Sequence, residues 1–161
     1  MHAGIIGLLI SLLLAPVPVS SQPRLAKAPV LACIAPERLA CGCSIRLREQ
    51  SCPNQSFPTQ PHLFTELQSD SPLWLHLDGR EVSLAHVHHS GTSVKGDPPG
   101  PSSDRYKSSG LEVKIDYFPA TSTCPKTMQD GCEYTDVKAE VVIKTPEGKV
   151  FKYKGAGTCG C

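Results

Sequence analysis

Ala85-His86-Val87-His88-His89 gathers three of the chain's six histidines. On an extended strand, residues two apart point to the same side, so His86 and His88 would share a face and together offer imidazole to one Zn²⁺ or Cu²⁺. Two ligands do not complete a site. A third would come from His89, if the strand ends and twists there, or from His62. The plainer reading is of solvated histidines at a strand end, and it requires no cofactor. His76 and Glu81 form a second pair, facing each other across the hairpin described below. Such a pair transfers protons in some sites, but between strands it is more commonly a stabilising polar contact. The chain contains no nucleophile elbow, phosphate-cradling glycine loop or His-Glu-x-x-His motif.

Cys124-Pro-Lys-Thr-Met-Gln-Asp-Gly-Cys132 would be a nine-residue loop closed by a Cys124–Cys132 bridge and presenting Lys126. In length and in the position of its lysine it resembles the reactive loop of Bowman-Birk protease inhibitors. That resemblance implies Lys126 filling a trypsin-like specificity pocket. It covers these nine residues alone. Pro125 stands where such loops carry threonine, and Gln129 and Asp130 stand where they carry rigidifying prolines. The plainer reading is a surface connection between strands.

The eight cysteines are Cys33, Cys41, Cys43, Cys52, Cys124, Cys132, Cys159 and Cys161. An even number in a small exported chain reads as a disulfide framework. Cys41-Gly-Cys43 and Cys159-Gly-Cys161 cannot readily close on themselves. Extended i and i+2 positions lie roughly 6.5–7 Å apart with parallel Cβ vectors. One solution sets the two segments side by side as neighbouring strands. A bridge closing so long a loop is worth about 5 kcal/mol on the loop-entropy account, against about 2.6 for Cys124–Cys132. The local Cys124–Cys132 pair is nevertheless the one that spacing favours. The rival is a four-thiolate metal site built from the same four Cys-Gly-Cys thiols.

Export is read from the amino terminus. Ile5–Leu14 is an apolar run of ten, ended by Pro16 and Pro18, which suits a signal-peptide core and falls short of a membrane span. Val19 and Ser21 are small enough for a peptidase site, so residues 1–21 are expected to leave after cleavage near Ser21. A lipobox ending at Cys33 is a weaker reading, because Arg24 and Lys27 interrupt the apolar run it needs. A flexible arm over 22–32 would then lead into a single disulfide-rich domain over 33–161.

The positioning elements are strands. In Leu73–Leu84, Asp78-Gly79 divides two alternating runs and predicts a hairpin pairing Leu77 with Arg80, Leu75 with Val82 and Leu73 with Leu84. In Val137–Gly155, Pro146-Glu147-Gly148 predicts a second, pairing Ile143 with Phe151, Val141 with Tyr153 and Ala139 with Gly155. Leu111–Phe118 and Cys43–Arg48 also alternate. His62–Ser69 is the one candidate for a short helix. Ser90–Gly110, rich in Gly, Ser, Pro and Asp, reads as a mobile loop over 90–110. The expected class is mainly β: a small antiparallel sandwich or partly closed barrel, stapled by disulfides.

Sixteen Lys and Arg against fifteen Asp and Glu give a net charge of +1, without the concentrated basic surface that nucleic acid demands. The functional expectation is a secreted or periplasmic, non-catalytic protein that binds an unspecified protein or small ligand or serves a structural role. The alternatives are a periplasmic metal-binding protein using His86 and His88, and a protease inhibitor acting through Lys126. No segment after the leader is long enough to span a membrane.

Overall fold

The computed structural model describes residues 28–34, 41–50, 61–66, 70–92, 100–120 and 134–160. The leader with Ser21, and Cys52, Cys124, Lys126, Cys132 and Cys161, lie outside the described residues. Among the described residues nine strands are formed: β1 (Leu31–Ala32), β2 (Gly42–Leu47), β3 (Leu63–Glu66), β4 (Leu73–Leu77), β5 (Arg80–Gly91), β6 (Ser102–Ser108), β7 (Leu111–Pro119), β8 (Tyr134–Lys144) and β9 (Val150–Gly160). Strands β2 to β9 follow one another as an antiparallel meander, and β9 returns to pair with β2, closing an eight-stranded barrel. Of the two expected architectures the barrel is the one formed, and its closure is complete. No helix occurs among the described residues, so none there is long and apolar enough to cross a membrane.

Alternation builds the wall. Leu63, Leu75, Leu84, Val113, Ile115, Val141 and Ile143 point inward and are fully buried, while their neighbours in sequence face out. Both predicted hairpins have the predicted register. The first turns through Asp78 and Gly79, both at positive φ (49° and 79°), the conformation that makes Asp-Gly a hairpin signal. Cys43 and Cys159 face each other across β2 and β9 and are joined in a disulfide. Cys33 and Cys41 are disulfide-bonded as well. Gly42-Cys43 and Cys159-Gly160 are therefore brought together on adjacent strands, and a site needing the free thiolates of Cys41, Cys43 and Cys159 is overturned.

Three expectations give way. Where a helix was expected over His62–Ser69, Leu63–Glu66 is strand β3, held between β2 and β4. Leu63 and Thr65 enter the barrel while Phe64 is buried on the other side, so adjacent apolar residues serve two faces and tertiary pairing overrides local preference. Within the loop expected over 90–110, Ser102–Ser108 is strand β6, paired along its length with β5 and β7. Tyr106 alone supplies its large buried side chain, too little for a visible alternation. At the end of the arm expected over 22–32, Leu31 and Ala32 pair with β4. Val30 N–H donates to Asp78 Oδ1 at 3.0 Å, and Ile34 N–H to the Pro61 carbonyl at 2.8 Å.

Candidate functional site

The histidines of β5 are arranged by a bulge. His86 lies opposite Tyr106 and His88 opposite Arg105, so Val87 is the extra residue between them and the alternation shifts by one. His89, not His88, then falls opposite Asp104. His86 Nε2 lies 3.3 Å and His89 Nδ1 2.6 Å from the same Asp104 oxygen, Oδ1. His86 also meets Tyr106 edge to face, with centroids 5.3 Å apart. The expectation that His86 and His88 share a face is thus corrected, since His88 is exposed beside the exposed Arg105. Among the described residues no group of three His, Cys, Asp or Glu side chains is arranged to hold a metal; the carboxylate instead accepts from both imidazoles. His76 and Glu81 do face each other, 3.6 Å apart, each about one-third exposed.

Behind this trio, two tyrosines are buried in the mainly apolar barrel interior. Tyr106 is pushed up to about 12 by burial, with Asp104 adding to it. Tyr117 is raised too, by burial and then by Tyr106 and Asp104. Its hydroxyl, sealed inside, makes no hydrogen bond of acceptable geometry. Both phenols are therefore neutral at physiological pH.

His62, a candidate third ligand, is committed elsewhere. It is fully buried, and its Nδ1 accepts from Leu47 N–H at 3.1 Å. The ring hydrogen therefore sits on Nε2, directed at Cys33 Sγ 3.7 Å away. Burial, with the Arg46 guanidinium nearby, lowers its pKa to about 4. Below pH 6.5 the unfolded chain takes up a proton here that the folded chain refuses. Stability is thus complete above that pH and is lost as pH falls towards 4, by on the order of 2–3 kcal/mol. His62→Gln should remove this dependence. Urea unfolding at pH 7 and pH 4 checks it, and equal losses in wild type and variant would show that the imidazole protonates freely in the fold.

A concavity lies on the outer wall, where sequence reading placed nothing. Alternation on β2 turns Ser44 and Arg46 outward beside Thr158 and Ala156 of β9, and with Arg48, just past the end of β2, they line a cleft of about 550 Å³. A second cleft of about 310 Å³ adjoins it through Arg48 and is lined by Phe118, Lys138, Glu140 and Lys154. Among the described residues, Arg46, Arg48, Lys138 and Lys154 make no ion pair. Glu140 stands opposite Lys154 in register, likewise without one.

The chain matches no protein-family model, no curated protein and no solved structure. Its chemistry must be read from the wall itself. Among the described residues lining the two clefts, four cations stand against one carboxylate, with Asp136 opposite Thr158 and Asp116 opposite Glu140 on the neighbouring positions, and this excess of positive charge attracts anions. The signal in the sequence was Arg46-Leu-Arg48 together with Lys138, Lys152 and Lys154 of the second hairpin, but only closure of β9 onto β2 brings them to one face.

Proposed function

We propose that the protein is a non-catalytic binding protein of the periplasm or extracellular space that holds an anionic ligand against the outer wall of its barrel. The observation that carries this reading is the pair of adjoining clefts whose four cations form no ion pair among the described residues. An exposed cation that is not neutralised within the fold retains its field for a ligand. Oxidised Cys33, Cys41, Cys43 and Cys159 support a compartment in which disulfides persist. The barrel interior is filled by its own side chains, which favours the outer wall as the ligand's place.

Inorganic sulfate is the simplest probe. Titrated into isotopically labelled protein, it should shift the backbone amide signals of Arg46, Arg48, Gly157 and Thr158, with weaker effects at high ionic strength. In Arg46→Ala/Arg48→Ala the same additions should leave those signals in place. Shifts absent from these amides in the wild type, or unchanged in the double variant, would remove the reading.

A further inference from the structure

We infer that the ligand is an acidic oligosaccharide, bearing sulfate esters or uronate carboxylates, laid across β2, β9, β8 and β7. This rests on the anion-binding reading above and adds the class of ligand. The charges are spread rather than gathered. Arg46 lies on β2 and Arg48 one residue past its end, roughly 7 Å apart where the backbone is extended. Arg48 N–H donates to the Lys154 carbonyl of β9 at 2.9 Å, and Lys138 of β8 lies opposite Ala156. Three strands at about 4.8 Å spacing thus present cations at intervals, which suits a chain with repeated, separated anions better than a single phosphate.

The remainder of the wall is suited to sugar. Ser44 and Thr158 offer hydroxyls beside Ala156 and Gly157, a shallow polar floor open to a flat ring. Phe118 lies opposite Lys138 in register, lines the second cleft and is 44% exposed. Its ring can cover the apolar C–H face of a pyranose while the neighbouring cation takes the acid group. Glu140 is placed to accept from a sugar hydroxyl. An acidic peptide fits less well. β2, β9, β8 and β7 are paired on both sides by barrel closure, so no edge remains there for strand addition, and the clefts have no deep apolar pocket to anchor a side chain. Nucleic acid would want several aromatic platforms, where the described residues of this wall expose two, Phe118 and Tyr134.

The test is calorimetric titration of the full mature protein with a heparin-derived octasaccharide, a hyaluronan octasaccharide and a poly-glutamate peptide of matched charge. At least one oligosaccharide should bind more tightly than the peptide. Binding of hyaluronan identifies uronate as sufficient, and binding of the heparin fragment alone identifies sulfate. Arg48→Ala should weaken the oligosaccharide about tenfold. Phe118→Ala should weaken it severalfold while leaving the sulfate-induced amide shifts unchanged, a split that a merely structural role for Phe118 would not produce. Circular dichroism should show both variants folded, as both positions are exposed. Peptide binding as tight as that of either oligosaccharide, or indifference to Phe118→Ala, overturns the inference while leaving the anion site standing. Loss of the sulfate response in the wild type removes both.

Discussion

Cys43→Ala/Cys159→Ala should unfold with about 5 kcal/mol less free energy than the wild type, the largest loss expected from any pair of side chains here. The two cysteines are 116 residues apart in sequence, and on the loop-entropy account a bridge closing so long a loop lowers the entropy of the unfolded chain by the equivalent of about 5 kcal/mol. It also spans the β2–β9 seam, where the first full strand meets the last. Domains of this size have roughly 5–15 kcal/mol of stability in all, so the variant should stand at the margin of folding near room temperature. Guanidinium unfolding of both proteins under non-reducing conditions makes the comparison. The denaturant slope should rise, because an untethered chain exposes more surface on unfolding. A loss below about 1 kcal/mol would mean that the bridge merely decorates a seam already held by main-chain hydrogen bonds and packing.

Gly157→Val acts on the same seam through the backbone. Gly157 occupies an inward position of β9 opposite Ile45, and a Cβ built there would lie 1.7 Å from the Ser44 carbonyl oxygen and 3.1 Å from the Ile45 Cα. Neither neighbour is a flexible side-chain end. The strands would have to separate, breaking ladder hydrogen bonds on both sides of the substitution. The expected cost is at least about 4 kcal/mol, in the range reserved for severe core disruption, and the sulfate response at Arg46 should vanish with the seam. Gly148→Ala is the contrast. Gly148 sits at φ 80° with nothing within 4 Å of an added Cβ, so only backbone conformation is penalised, at about 1 kcal/mol. Thermal unfolding of the two variants ranks them, and similar midpoints would show that the β2–β9 approach relaxes without cost.

Legibility followed the range of the interaction. Asp78-Gly79 and Pro146-Glu147-Gly148 each specify a turn from adjacent residues, and the strands beside them alternate strongly enough to set their register. Ser109-Gly110 carries the same information, with φ at 45° and 82°. The preceding strand contributes only Tyr106 to the core, however, so it looked like loop. At the histidines the failure is of a different kind. Counting by twos along β5 joins His86 to His88, and one bulged residue, Val87, exchanges His88 for His89. Nothing local announces a bulge, because it is set by how β5 must curve to meet β6. The outer-wall cations were visible as outward positions on separate segments, but β2 and β9 are too distant in the chain for their neighbourhood to be read from either.

By itself the amino-acid sequence determined the strand class, two hairpin registers, the inward and outward faces of those strands, and an even set of cysteines suited to cross-linking. Each of these follows from period-two alternation or from the φ angles that a few turn residues tolerate. The tertiary structure alone decided that the meander closes as a barrel, that Cys43 meets Cys159, that His86 and His89 share Asp104, and that two arginines and two lysines face one pair of clefts. Those outcomes depend on contacts between distant segments, whose free energy is realised only when the whole wall curves back on itself and buries one common core.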